Sequence, residues 1–163
     1  MKKILSFILL LFWGCSLSPD PNLPEVDREL IIYYDYNDLS KEIIYNRTIS
    51  WIADSYKSPK SVIEFNDKDI GKIVIRGETD FKWQSFVGSA LPHICRYKFI
   101  IDIKDNKIRL TFTDFTGTMP DNMGGVRWEP MKRKTHIDSV KNQFVLYGIQ
   151  LDKYIKYFNN QNW

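Results

Sequence analysis

The chain has 163 residues, 44% hydrophobic and 26% charged, the size of a single domain with its own core. Twenty-three basic residues against 20 acidic ones leave +3, too small a bias to build a nucleic-acid or membrane surface from net charge alone. The only cysteines are Cys15 and Cys95 and the only histidines His93 and His136, which excludes a disulfide scaffold and a cysteine-rich zinc site.

Met1-Lys2-Lys3, an apolar run from Ile4 to Trp13 and Gly14-Cys15-Ser16 form a secretory signal, too short to cross a membrane as a helix. Gly14-Cys15 resembles the bacterial lipobox, in which a small residue precedes a cysteine that is acylated and becomes the new N-terminus. Phe12 and Trp13 stand where that motif has leucine and a small residue, so the match is to its relaxed form; the alternative is an ordinary signal peptide cut near Cys15. The resemblance implies a signal over residues 1–14, a lipid at Cys15 and a cell-envelope location. Ser16, in place of the aspartate that retains lipoproteins at the inner membrane, points to the outer one. Loss of Lys2 and Lys3 leaves 21 basic and 20 acidic residues, a charge of +1. Residues 15–28 contain Pro19, Pro21 and Pro24 and read as an extended tether.

Beyond the tether, Glu29 to Tyr36 is rich in Ile and Tyr and predicts a strand. Ser40 is a good N-cap, and Leu39 is placed to staple onto Ile44. Ile44, Tyr45, Thr48, Ile49 and Ile52 recur at helical spacing, with Trp51 widening the stripe, until Pro59 stops the helix. A hairpin follows, from Val62 to Phe65 and from Lys72 to Arg76, around Asn66-Asp67-Lys68-Asp69 and closed by Gly71 and Gly77. Glu78 to Pro92 reads as an irregular connection with exposed aromatics at Phe81, Trp83 and Phe86. Strict alternation then puts Cys95, Tyr97, Phe99, Ile101 and Ile103 on one face of a strand, and Arg96, Lys98, Ile100 and Asp102 on the other. Lys107 to Phe115 returns with Ile108, Leu110 and Phe112 pointing in and Arg109, Thr111 and Thr113 pointing out. Thr116 to Lys134 reads as a long loop, a length that suggests function. The chain ends in a helix whose stripe is Val140, Phe144, Tyr147, Leu151, Tyr154 and Phe158. Gly148 in its middle costs helix propensity, and close packing on the first helix would account for it.

The order strand, helix, four strands, helix gives an α+β two-layer sandwich, an antiparallel sheet with two helices on one face and the other face bare. This β-α-β-β-β-β-α order resembles one repeat of the TATA-box-binding-protein (TBP) fold. Ser40-Lys41-Glu42, Tyr45, Trp51-Ile52, Lys57-Ser58, Val62-Ile63, Asp67, Asp69-Ile70-Gly71-Lys72-Ile73 and Gly77 resemble a bacterial exported family of unknown function with that fold. Ile103, Asp105-Asn106 and Arg109 extend the likeness. It covers residues 29–160 as one domain, is strongest over 40–77, implies the fold and brings no catalytic residues with it.

No constellation for chemistry stands out. His93 and His136 lack a second ligand at metal spacing, Ser85, Ser89 and Ser139 lack a nucleophile elbow, and Asp67, Asp69 and Asp105 are turn residues. Gly124-Gly125 is a lone doublet, so no cofactor is expected. Cys95 points inward by its alternation and reads as packing.

Two surfaces remain as candidates. On the bare sheet face, Lys72, Arg76, Arg96, Lys98 and Arg109 would meet an anionic ligand or an envelope protein, unless they pair across strands with Glu64 and Asp102. In the loop, Trp128, Lys132 and Arg133 would meet a membrane or a partner groove, unless its apolar residues fold back on the core. The matching face of TATA-box-binding proteins grips DNA, but an exported protein meets no promoter, so nucleic acid is not an expected partner. The sequence thus predicts a lipid-anchored envelope protein with a non-catalytic binding domain. The alternative is an envelope enzyme or accessory subunit with its site between 78–93 and 116–134.

Overall fold

The computed structural model describes residues 21–84, 90–120 and 125–158. They form a single 3-10 turn (Glu25–Arg28), β1 (Leu30–Asp35), α1 (Lys41–Ser55), a one-turn α2 (Pro59–Val62), β2 (Ile63–Asp67), β3 (Lys72–Gln84), β4 (Ala90–Lys104), β5 (Lys107–Pro120), β6 (Val126–Pro130) and α3 (Lys134–Tyr157). The strands make one antiparallel sheet in the order β1-β5-β4-β3-β2, with β6 also on β5, beyond β1. α1 and α3 cover one face, giving the α+β sandwich that the sequence implies.

Local chemistry fixes the start of α1. Ser40 Oγ accepts from the Ile43 amide at 3.3 Å, and Asp105 Oδ1 accepts from the Lys41 amide at 2.7 Å. Asn106 Oδ1 takes the Leu39 amide at 2.9 Å, so the β4–β5 turn serves as a second cap from across the sheet. Asp67 Oδ1 accepts from the amides of Asp69 (2.8 Å) and Ile70 (3.0 Å), the Asx turn expected of that carboxylate. Gly71 closes this turn at φ +67°, where an added Cβ would lie 2.3 Å from the Ile103 carbonyl oxygen.

The inward residues of β4 and β5 are buried as the alternation requires, and Phe99 stacks on Phe112 with ring centroids 4.1 Å apart. From α3, Phe144 sits 4.6 Å from Phe112 and 4.5 Å from Tyr97, tying helix to sheet. Together these aromatic contacts form the centre of the core.

Four expectations change. Gly77 does not close β3: the strand runs on to Gln84, and Gly77 pairs with Tyr97 in its middle. Phe81, expected to be exposed, is buried between His93 and His136, with ring centroids 5.6 and 6.5 Å away. The irregular connection is therefore the far half of the β3–β4 hairpin, with Phe86 and residues 85–89 outside the described residues. The long loop is likewise largely strand, Thr116 to Pro120 pairing with Val126–Pro130. Gly148 packs on the sheet and not on α1, since a Cβ there would lie 3.0 Å from both Ile32 Cδ1 and Tyr34 Oη.

At the N-terminal end, the expected signal over residues 1–14 and residues 15–20, Cys15 among them, lie outside the described residues. The rest of the expected tether is held to the domain. The Leu23 amide donates to the Lys132 carbonyl at 2.8 Å, the Lys134 amide donates to the Pro21 carbonyl at 3.0 Å, and Asn22 bridges to Arg133.

Candidate functional site

The open sheet face is built from side chains of alternate residues aligned by register. Its middle row is apolar: Phe65 pairs with Val74, Val74 with Ile100, Ile100 with Thr111 and Thr111 with Ile31. Phe65 and Ile31 are 44% and 46% exposed at the two ends of that row. The row on one side runs Asp67, Lys72, Asp102, Arg109, Tyr33, and the row on the other holds Arg76, Lys98 and Thr113.

The candidate cations are mostly committed to carboxylates. Arg76 Nε lies 2.5 Å from Glu64 Oε1, Arg96 Nε 2.6 Å from Glu78 Oε1, and Arg109 Nη2 2.9 Å from Asp102 Oδ2. Lys72 Nζ reaches the other Asp102 oxygen at 3.8 Å. The hydrogen-bonded carboxylates of Glu64 and Asp102 hold the Arg76 and Arg109 guanidinium groups above the ordinary arginine range. Each such exposed pair contributes ~0–1 kcal/mol. Lys98 alone of the five candidates forms no ion pair among the described residues. Pairing across strands has won over a free cationic surface.

The loop candidates separate. Trp128 pairs in register with Thr118, and its ring lies under the Arg96 guanidinium at 3.6 Å, a cation–π contact on the open face itself. With Ile94 and Val126, also exposed, Trp128 extends the apolar surface toward β6. Met131 has turned into the core, its sulfur 3.6 Å from Cys95 Sγ. Lys132 and Arg133 are exposed in the link to α3, their backbones engaged with Asn22 and Leu23. The two predicted surfaces therefore share Trp128 and Arg96 but not the basic pair.

The two segments of the alternative enzyme reading, 78–93 and 116–134, lie largely in strands, at residues 78–84, 90–93, 116–120 and 126–130. Both histidines are buried, and His93 Nδ1 lies 2.8 Å from the Thr118 carbonyl. Burial pushes the Cys95 thiol up to about 12, so it stays neutral. Among the described residues no group of three or more His, Cys, Asp or Glu side chains converges to hold a metal.

A family model described as a domain of unknown function (DUF4468) with TBP-like fold matches residues 34–117, just over half the chain. A solved TBP-like protein from Parabacteroides distasonis is similar at a TM-score of 0.64 and 15% identity, over 79% of this chain and 92% of its own. A DUF4468 family protein from Bacteroides ovatus is similar at a TM-score of 0.56 and 15% identity, over 82% and 87%. No curated protein matches. Sequence pattern, sheet order and these likenesses agree, and the chain belongs to the DUF4468 family with its TBP-like fold.

Proposed function

We propose that this protein is a lipid-anchored component of the cell envelope whose domain binds another protein across its open sheet face and catalyses nothing itself. The observation that carries the reading is the apolar row of Phe65, Val74, Ile100 and Ile31, framed on both sides by ion-paired charges. An apolar centre inside a polar rim is the anatomy of a protein interface. A small anion or nucleic acid is a poorer fit, since it must compete with Glu64, Glu78 and Asp102 for the cations. The anchoring half of the proposal rests on the signal and Gly14-Cys15.

The test is crosslinking in intact cells, followed by recovery of the tagged full chain. The parallel sample carries Ile31→Ser, Phe65→Ser and Lys98→Glu, all on the open face. Recovery of one envelope protein by the parent and its loss in the variant supports the proposal; equal recovery refutes the face assignment. Fatty-acid labelling that persists after Cys15→Ala refutes the anchor.

A further inference from the structure

The outer edge of β6 lies apart from the open face, on the side of the strand away from β5. The Met131 amide donates to the Phe115 carbonyl at 2.8 Å, so Met131 turns its backbone groups toward β5. Alternation then turns those of Glu129 and Arg127 the same way, and those of Pro130, Trp128 and Val126 outward. Two other contacts agree with this phase. The Thr118 carbonyl, opposite Trp128, points away from β6 to His93. The outward groups of Lys132 and Lys134 hydrogen-bond to Leu23 and Pro21. The chain thus already uses this edge for pairing at residues 132–134, and among the described residues of the sheet β6 pairs with β5 alone. Pro130, which has no N–H to offer, sits at an outward position, as proline on an edge must.

The edge residues Val126, Arg127, Trp128, Glu129 and Pro130 are complementary to themselves when reversed about Trp128. We propose that two copies of this chain pair antiparallel through β6, with Trp128 on the two-fold axis, joining their sheets. In that register Arg127 lies opposite Glu129 of the second copy, and Glu129 opposite its Arg127. Arg127 and Glu129 already form a 2.7 Å ion pair within one chain on the face away from Trp128, so the exchange keeps each charge neutralised. Val126 meets Pro130 of the second copy, and Trp128 meets Trp128, so apolar groups lie opposite apolar ones. The outward N–H groups of Trp128 and Val126 donate to the Trp128 and Pro130 carbonyls of the other copy. The partner that this edge fits is a second copy of the same edge.

The test introduces Trp128→Cys or Val126→Cys into the full chain and applies a short bis-maleimide to intact cells, with the unsubstituted chain as background. Position 128 should link strongly, its Cα atoms being about 5.5 Å apart in a hydrogen-bonded pair. Position 126 should link weakly, because its two copies are offset by roughly 13 Å along the strands. Equal linking at the two positions, or none at 128, overturns the register.

The charge test leaves Trp128 in place. In sedimentation of the detergent-solubilised full chain, Arg127→Glu alone and Glu129→Arg alone should each weaken self-association about tenfold. The double reversal should restore it. When differently tagged chains are co-expressed, the double-reversed chain should pair with itself but exclude the parent, since Arg would then face Arg and Glu face Glu. Co-recovery of reversed and parental chains at parental efficiency, or association indifferent to both single changes, refutes the proposal.

Discussion

Gly77→Ala is a change of one methyl on an apparently ordinary strand, and the structure assigns it a large cost. A Cβ at position 77 would lie 2.5 Å from Tyr97 Oη and 2.6 Å from Cζ. Tyr97 is 1% exposed, its ring centroid 4.5 Å from Phe144, and its hydroxyl 3.0 Å from that of Tyr56. Retreat of the ring therefore displaces Phe144 or breaks the Tyr56 contact. Overpacking costs ~1–3 kcal/mol, the hydroxyl contact adds ~1 kcal/mol, and the better strand backbone of Ala returns ~0.5–1 kcal/mol.

The net expectation is a loss of about 2 kcal/mol, or roughly 4–8 °C in Tm for a chain of this size. Urea denaturation of the parent, Gly77→Ala, Tyr97→Leu and the double variant measures it as a cycle. With Leu at position 97 the obstacle is gone, so adding Ala should be neutral or slightly stabilising. A single variant within about 0.5 kcal/mol of the parent, or an equal cost in both backgrounds, refutes the reasoning.

Three further outcomes follow from named contacts. Asp102→Asn releases both Lys72 and Arg109, yet should cost under ~1 kcal/mol in urea denaturation because all three groups are partly exposed; a loss well above that would show a buried network. Burial raises the Cys95 thiol from 9.0 to about 12 and the Tyr56 hydroxyl from 10.0 to about 12, so the folded chain keeps protons that the unfolded chain releases. The Cys95 contribution is intact below about pH 9 and the Tyr56 contribution below about pH 10, and each then falls by ~1.4 kcal/mol per pH unit up to about pH 12, which urea midpoints at about pH 8 and about pH 11 will show and Tyr56→Phe will reduce; a flat profile refutes it. The folded chain should also protect Cys95 from iodoacetamide at about pH 8 while urea exposes it, with peptide mass spectrometry as the readout; equal rates would contradict its burial.

What the sequence made legible was periodicity. The Cys95 to Ile103 alternation and the Ile44 to Ile52 stripe each carried one strong period, and the structure buries Cys95, Tyr97, Phe99, Ile44 and Ile52 accordingly. Gly77 conceals the far half of β3 in the sequence, because glycine usually punctuates a strand, whereas here it makes room for a ring from β4. Thr79 and Phe81 nonetheless continue the phase of Ile73 and Ile75. Glycines conceal β6 in the same way: Val126 and Trp128 alternate with Arg127 and Glu129 just after Gly124-Gly125, where the glycine doublet and the flanking prolines give the look of a loop. The cationic face could not be judged from sequence, since whether Arg76 meets Glu64 depends on the irregular register between Ile63 and Phe65.

That pairing also decides which surface can serve which partner. Two copies packed by their open faces about an axis along the strands would set Lys98 against Lys98. About an axis across the strands they would set Arg76 against Lys72, although Lys98 would then meet Asp102. Like charges brought together on desolvation are costly, so under the proposed function a different protein with its own charge pattern fits the open face better than a second copy does. The β6 edge is the reverse case, since Arg127 and Glu129 read the same from either copy. If both proposals hold, the edge and the face can be occupied together, leaving a joined sheet with two open faces toward other proteins. Loss of the edge contact by Arg127→Glu should then leave face binding intact, and loss of the face by Phe65→Ser should leave the crosslink at position 128 intact. If either change abolished both, the two surfaces would not be independent and the division of roles would be wrong.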